Sequence, residues 1–290
     1  MQQPLNRLLL LQPVWLPTIL FIPLLYALGW LAAFPLTLLG LPTDQLSLTG
    51  TVLSFVLFLL VMPRWAALRW SKSRPWAALG ICGANPKEQS APAAALLKGL
   101  LIAAGLLTLI TSAVLIDGSG DWRGEVDATQ LMNAMLLCLG VGFAEELIFR
   151  SWLWTELNQI LGSRHGSVAQ ASVFSLVHTR FNLGLGAMSG LLIGLFLLGM
   201  VLARQRQSDR GSLWSCIGLH GGLVAGWFLL QSGLLELSPN APSWVVGPGG
   251  NAPNPLGGAV GLISLLILLL IQRTAVAKAL RPSTGARRAS

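Results

Sequence analysis

The sequence contains few charged residues: only 10% of its 290 positions are Asp, Glu, Lys or Arg. Soluble domains usually contain about 25% charged residues, so this composition excludes a nucleic-acid-binding module despite the net charge of +8. Low-complexity tracts are also absent and 53% of the residues are hydrophobic, which excludes intrinsic disorder. The mean hydropathy of +0.67 therefore indicates a polytopic helical membrane protein, whose first partner is the lipid bilayer.

Cysteine is scarce as well, with three residues in the chain, Cys82, Cys138 and Cys216. Their spacing shows no paired pattern of the kind that disulfide frameworks or zinc ribbons have. Cys138 and Cys216 lie in apolar segments, where a cysteine packs as a small hydrophobic residue. The sequence also lacks an internal repeat of fixed period.

Eight segments are predicted to cross the membrane, because about 20 mostly apolar residues span the hydrocarbon core. They are Leu16–Leu39, Leu46–Met62, Ala93–Ile116, Leu131–Phe149, Gly166–His178, Phe181–Ala203, Leu213–Leu230 and Gly257–Ile271. The fifth is short. It is included because, without this crossing, the basic connections before and after it would not all lie on the same side of the membrane. The fold prediction is all-α, with about eight transmembrane helices in a single membrane domain over residues 1–290 and a disordered tail over 281–290.

The basic residues predict the orientation of these helices, because connections rich in Lys and Arg stay in the cytoplasm. Basic residues cluster in every second connection, and of the 19 in the chain only Arg123 and Arg180 fall on the other side. Both termini are therefore predicted to be cytoplasmic. The first apolar run exceeds the 7–15 residues of a signal-peptide core, so we expect a retained helix.

Four ionisable side chains interrupt the apolar segments: Glu145, Glu146, His178 and His220. An ionisable group in the middle of a bilayer costs on the order of 3 kcal/mol, which makes each of them a functional candidate. At about 1.5 Å per residue, the two glutamates lie roughly 15 Å, His178 about 18 Å and His220 about 11 Å from the cytoplasmic ends of their helices. The sequence thus predicts that three helices bring carboxylates and imidazoles to one layer.

Two chemistries are open to this set. Glu145, His178 and His220 match the two imidazoles and one carboxylate of many catalytic zinc sites, so zinc or another divalent metal is one prediction. The other is a metal-free site in which a glutamate and a histidine activate water. Glu146 and Arg150 are spaced i, i+4 and can pair along one helix face, which leaves Glu145 as the expected base or ligand. The structural alternatives are an ion pair between Glu146 and Arg150 without chemistry, and histidines that only pack.

Three motifs in this region resemble those of the CPBP intramembrane proteases, the CAAX prenyl protease and bacteriocin-processing group that is also called the Abi domain. They are Glu145-Glu146-x-x-x-Arg150, Phe174-x-x-x-His178 and the late His220, and the resemblance covers residues 131–230. It implies an eight-helix fold with a catalytic chamber open to the cytoplasm, and hydrolysis of a peptide bond in a peptide or membrane-protein substrate. Glu145 would then be the base, His178 and His220 its partners, and Glu146 and Arg150 their support.

The chain departs from the family pattern at one position. The family commonly has Asn four residues after the last histidine, where it stabilises the oxyanion, and this chain has Val224. Losing one oxyanion donor costs on the order of 3 kcal/mol, which slows a hydrolase without abolishing it. Two other functions therefore stay open, a non-catalytic scaffold that binds another membrane protein and a proton-coupled carrier.

Overall fold

The computed structural model of the chain describes residues 2–82, 91–250 and 252–279. The predicted tail over residues 281–290 and the basic residue Lys87 lie outside the described residues. The chain divides into two compact units, Met1–Ala84 and Asn85–Ser290. The sequence-based expectation of a single membrane domain over residues 1–290 stays a prediction.

The first unit is a small helical assembly. Its helices are α1 Gln2–Leu9, α2 Trp15–Ala33, α3 Leu46–Arg69 and the short α4 Pro75–Ala78, with a 3₁₀ helix Phe34–Leu39 after α2. The aromatic rings of Phe21 and Trp65 lie 4.3 Å apart between α2 and α3, and Trp65 is fully buried. Arg69 at the end of α3 donates to the carbonyl oxygens of Leu9 at 3.0 Å and Val14 at 2.8 Å, which fixes the turn between α1 and α2.

The second unit contains the candidate site. Its helices are α5 Pro92–Ile116, α6 Ala128–Glu145, a π-helical segment Glu146–Leu153, α7 Trp154–Leu176, α8 Leu185–Ser208, α9 Trp214–Leu229, a π-helical segment Leu230–Leu234, the short α10 Ser243–Val246 and α11 Ala259–Ala279. Two short strands, β1 Gly120–Trp122 and β2 Leu235–Leu237, pair antiparallel with Asp121 opposite Glu236. Arg123 binds the Glu236 carboxylate beside this ribbon with a hydrogen bond of 2.8 Å.

The chain reverses direction inside α7. Gly162 has φ 78° and ψ 161°, a backbone conformation that ends a helix and that side chains with a Cβ rarely adopt. Trp154 Nε1 donates to Ser167 Oγ at 3.0 Å, although 13 residues of straight helix would separate the two by about 20 Å. The segment is therefore a hairpin of two antiparallel arms, before and after Gly162.

A crossing of two glycines sets the distance between α6 and α9. A Cβ on Gly142 would lie 2.8 Å from Gly221 Cα, and a Cβ on Gly221 would lie 2.3 Å from the Cys138 carbonyl oxygen. Both distances are shorter than real Cβ contacts, so only glycine allows the backbones to approach this closely. The crossing places the end of α6, with Glu145, beside His220 of α9.

Six helices of the described residues are long and apolar enough to cross a membrane. They are Trp15–Leu39, Thr43–Arg69, Pro92–Ile116, Ala128–Leu176, Leu185–Ser208 and Trp214–Leu234. Each overlaps a different one of the predicted segments, and the 49-residue Ala128–Leu176 also covers most of the predicted fifth one, Gly166–His178. The predicted eighth segment corresponds to a shorter apolar helix, Ala259–Arg273. The chain is thus a mostly helical integral membrane protein.

Candidate functional site

A buried ion pair between Glu146 and Arg150 forms the innermost part of the site. Glu146 and Arg150 lie in the π-helical segment, where the backbone ladder shifts by one residue, a deviation that is frequent at functional sites. Arg150 Nη1 lies 3.2 Å from Glu146 Oε1, and both side chains have 0% exposure. The pairing that the i, i+4 spacing predicted is therefore present. Two opposite charges at zero exposure stabilise each other only as a pair, so neither is expected to tolerate loss of the other.

Glu146 also holds His220. His220 Nδ1 lies 2.7 Å from Glu146 Oε1 in a buried contact between the π-helical segment and α9. The carboxylate accepts a hydrogen bond, so Nδ1 carries the proton and Nε2 faces the opposite direction. A carboxylate on one imidazole nitrogen fixes the tautomer and the orientation of the ring.

His178 is held in the same tautomer by a different partner. Its Nδ1 lies 2.7 Å from the carbonyl oxygen of Phe174, four residues earlier. A carbonyl oxygen only accepts, so Nδ1 donates and Nε2 is again the nitrogen turned away from the helix. Since the chain reverses at Gly162, His178 returns along the second arm of α7 to about the depth of Glu145.

Both Nε2 atoms converge on one oxygen of Glu145. Glu145 Oε2 lies 3.7 Å from His178 Nε2 and 3.9 Å from His220 Nε2. These distances exceed a direct hydrogen bond, and Oε2 has no hydrogen-bond partner among the described residues. Glu145 is 27% exposed and His178 is 34% exposed, in contrast to the fully buried Glu146. The structure therefore brings all four predicted ionisable groups together, with Glu145 and His178 on the accessible side.

Phe174 packs against three of the polar side chains of the site. Its ring centre lies 3.8 Å from the Arg150 guanidinium carbon, 4.8 Å from the His178 ring and 5.6 Å from the His220 ring, the last at 87°. A guanidinium over an aromatic face gains cation–π attraction where hydrogen-bond partners are lacking. The Phe174-x-x-x-His178 motif thus supplies a wall for three side chains of the site.

A cavity of about 260 Å³ lies on the face where Glu145 and His178 are accessible, and the buried His220 also lines it. His220, Val224 and Trp227 of α9 line it at helical spacing, and Gln231 of the following π-helical segment continues the row. Val224 therefore lies in the cavity wall, at the position where the family pattern has Asn. Gln231 contributes a side-chain amide to the same wall.

Arg206 is a residue of this region that the sequence did not single out. It was counted as a basic residue of a cytoplasmic connection, but it lies in the last turns of α8 and is 3% exposed. Its Nη1 donates to the carbonyl oxygens of Arg150 and, at 3.3 Å, Ser151, and its guanidinium lies 4.9 Å from the Trp154 ring centre. Arg206 therefore fixes the backbone of the π-helical segment that carries Glu146 and Arg150.

A catalytic metal ion needs about three protein ligands that face one point. Among residues 2–82, 91–250 and 252–279, no group of three or more His, Cys, Asp and Glu side chains is arranged to hold one. Glu145, His178 and His220 come near each other in pairs, with their Nε2 and Oε2 atoms converging. The metal therefore stays a prediction, and no step below uses one.

Two family models match the chain. A domain of unknown function (DUF8676) covers residues 2–74, and a type II CAAX prenyl endopeptidase Rce1-like domain covers residues 127–226. Comparison with curated proteins and with solved structures found no significant match. The second match contains every one of the predicted site residues, and the family is one of intramembrane proteases. Residues 127–226 of this chain thus match the type II CAAX prenyl endopeptidase Rce1-like model, which confirms the resemblance predicted from the sequence.

Proposed function

We propose that the chain is an intramembrane endopeptidase that hydrolyses a peptide bond with a water molecule activated by Glu145. The observation that carries the proposal is the convergence of two imidazole Nε2 atoms on an unpaired carboxylate oxygen inside a cavity. The family match supports the reaction class. The match does not name a substrate. Hydrolysis of a peptide bond requires that the substrate is a peptide or a membrane protein.

The base is Glu145. Gaps of 3.7 and 3.9 Å between its Oε2 and the histidine Nε2 atoms allow one water to bridge carboxylate and imidazole. The water donates one proton to Glu145, its oxygen attacks the carbonyl carbon, and Glu145 later gives the proton to the leaving amine. General acid–base catalysis by a positioned group contributes about 10²–10⁴-fold to a rate.

The two histidines have different roles because their Nδ1 partners differ. His178 Nδ1 bonds the carbonyl oxygen of Phe174, and we assign its Nε2 to orienting the water. His220 Nδ1 bonds the Glu146 carboxylate, which turns Nε2 toward the cavity. We assign His220 to the oxyanion that forms on the substrate, and Glu146 and Arg150 to holding His220.

This assignment accounts for activity without the family's Asn. Val224 lines the cavity but offers no hydrogen bond, so the oxyanion loses one donor and keeps the one from His220. Removing one such donor costs about 2.7–4 kcal/mol in hydrolases. We therefore expect a slow protease, and Val224→Asn is expected to accelerate it.

We also propose eight membrane crossings with both termini in the cytoplasm. The reversal at Gly162 divides the 49-residue Ala128–Leu176 into two arms, which supplies one crossing beyond the six. Ala259–Arg273 supplies the other, although it is shorter than a full span. Reporter fusions after each helix test this count.

The proposed activity is tested with purified protein in liposomes and a mixture of membrane-protein substrates. Wild type is compared with Glu145→Gln and His178→Ala, and with His165→Ala as a matched control because His165 is exposed and remote from the cavity. We expect cleavage by wild type and the control and at least a 100-fold loss in the other two. Equal cleavage by all four variants would overturn the proposal.

Further measurements on the same purified protein test the metal dependence and the two alternative functions. Dialysis against a chelator followed by metal analysis is expected to leave the activity of wild type unchanged. Binding of a stoichiometric membrane protein without any cleavage, unaffected by Glu145→Gln, would replace the protease with a scaffold. Uptake of a solute driven by pH in the same liposomes would replace it with a proton-coupled carrier.

A further inference from the structure

We propose that the first unit binds an anionic phospholipid, with an acyl chain in an apolar groove between α1 and α2 and the headgroup on basic residues around the end of α3. The site lies within residues 2–74, for which the matching family model gives no function. The proposal is independent of the protease function, because it uses no residue of the candidate catalytic site.

The groove, called here the lipid groove, has a buried floor and an exposed apolar rim. Leu9, Phe21 and Trp65 contribute the floor from α1, α2 and α3, and they are 0–4% exposed. The rim consists of leucine side chains that are 37–43% exposed: Leu8, Leu11, Leu20 and Leu24. Pro17 completes the described lining, so every lining residue is apolar. Such a groove favours an acyl chain over a water-soluble ligand.

Arg69 places a cation beside the lipid groove. Its guanidinium carbon lies 5.0 Å from the centre of the Trp65 ring on the groove floor. Its two terminal nitrogens donate to the carbonyl oxygens of Leu9 and Val14, at 3.0 and 2.8 Å. Leu9 is itself a floor residue, so these bonds bring the end of α3 to the groove and to the start of α2.

Four further basic residues lie in the segments that Arg69 brings together. They are Arg7 of α1, Arg64 of α3, and Lys72 and Arg74 directly after α3, and with Arg69 they are called here the basic end. The backbone amide of Lys72 donates to the Ala66 carbonyl oxygen at 3.0 Å, which holds the connection after α3 against the end of that helix. The side chains of Arg7, Lys72 and Arg74 are exposed and can reach a headgroup.

No acidic residue of the first unit neutralises the basic end. Asp44 is the only Asp or Glu among residues 1–84, and it precedes α3, whose 24 residues span about 36 Å. Basic residues next to a membrane attract anionic lipid headgroups, which are concentrated in the cytoplasmic leaflet. The sequence also predicts the cytoplasmic side for these basic residues. Their charge therefore selects an anionic headgroup over a zwitterionic one.

Exposed tryptophans indicate that the basic end lies at the level of the lipid headgroups. Trp15 at the start of α2 and Trp76 in α4 are 48% and 37% exposed. Tryptophan is enriched at this level because its ring is amphipathic. From Pro17 to Leu24 the lipid groove follows α2 for about 10 Å away from the basic end. A headgroup on the basic end can thus continue into an acyl chain in the groove.

The test measures lipid binding directly. The full-length protein in a non-ionic detergent is titrated with phosphatidylglycerol and with phosphatidylcholine of the same acyl chains, and the bound lipid is measured by native mass spectrometry. Lys72→Gln/Arg74→Gln removes two exposed cations of the basic end. Arg164→Gln/Arg210→Gln is the matched control, because it removes two exposed cations of the second unit. Leu20→Trp fills the groove with a larger apolar side chain.

We expect wild type and the control to bind phosphatidylglycerol at least tenfold more tightly than phosphatidylcholine. Each Lys or Arg near an anionic lipid strengthens binding about fivefold, so Lys72→Gln/Arg74→Gln is expected to lose at least tenfold in affinity for phosphatidylglycerol. Leu20→Trp is expected to weaken the binding of both lipids. Far-ultraviolet circular dichroism confirms that each variant is folded, and Arg7→Gln replaces the double variant if that one is not.

Equal affinities of wild type for the two lipids would overturn the proposal, as would a charge variant that binds phosphatidylglycerol like the control. Unchanged binding by Leu20→Trp would overturn the role of the groove. Displacement of the lipid by glycerol 3-phosphate, which has an anionic phosphate but no acyl chain, would replace the phospholipid with a soluble phosphate ligand. Loss of proteolysis in Glu145→Gln with unchanged lipid binding is expected, because the two sites are separate.

Discussion

Arg150→Met removes one partner of the buried ion pair beneath the site. Glu146 and Arg150 are both at 0% exposure and their charged atoms lie 3.2 Å apart. Breaking such a pair leaves an uncompensated buried charge, which costs about 3–5 kcal/mol. His220 still donates to Glu146, so one hydrogen bond of the carboxylate survives and the protein is expected to remain folded at low temperature.

The double variant Glu146→Leu/Arg150→Met separates this cost from the loss of packing. It has no buried charge at these positions, and its main penalty is the unpaired Nδ1–H of His220, about 1–3 kcal/mol. We therefore expect the double variant to be more stable than Arg150→Met alone, although it carries one substitution more. Simple packing loss would instead make it less stable.

The assay is equilibrium unfolding in mixed micelles of a non-ionic detergent and dodecyl sulfate, followed by circular dichroism. Arg123→Met is the matched control, because Arg123 also pairs with a glutamate, but 55% of its side chain is exposed. A loss below about 1 kcal/mol for Arg150→Met, or a double variant less stable than Arg150→Met, would refute the reasoning about the buried pair.

Three other predictions concern the frame of the site. Gly142→Ala places a Cβ 2.8 Å from a backbone carbon of α9 and is expected to destabilise the fold by about 1–3 kcal/mol, whereas Gly140→Ala, with open space around it, should have no effect in the same unfolding assay. Arg206→Met removes the hydrogen bonds to the π-helical segment. Proteolytic activity is expected to fall even under conditions in which unfolding measurements show that the variant is fully folded. Full activity of the folded variant would assign Arg206 to stability alone. The hydrogen bond from Arg123 lowers the pKa of Glu236 from 4.5, so the pair stabilises the β1–β2 ribbon above that pH and the contribution is lost as the pH falls through the lowered pKa. Protection of the ribbon amides in hydrogen exchange, corrected for the intrinsic rates, should decrease in that range, and constant protection would contradict the pairing.

The sequence predicted the composition of the site because ionisable residues are rare in apolar segments. Glu145, His178 and His220 stood out for this reason, and helical rise alone placed them in one layer. The structure adds their convergence, which depends on the reversal at Gly162 and on the crossing of Gly142 with Gly221. Neither feature has a pattern in the sequence that distinguishes it from other glycines in apolar helices.

Arg206 shows a different limit of sequence reasoning. A basic residue at the end of an apolar segment indicates a cytoplasmic connection whether its side chain points to water or into the protein. Only the burial of Arg206 and its bonds to backbone carbonyl oxygens distinguish the two cases. The cavity was hidden for a similar reason, since its wall combines residues of α9 and of the π-helical segment after it with the distant loop 252–256.

The central claim is that Glu145 hydrolyses peptide bonds in the membrane, and the most direct measurement is a comparison of new polypeptide N-termini in membranes containing wild type or Glu145→Gln. Terminal labelling with mass spectrometry detects cleavage products of any substrate, whatever its identity. We predict a set of N-termini present with wild type and with the His165→Ala control and reduced at least 100-fold with Glu145→Gln. Identical sets of N-termini in all three membranes would contradict the claim.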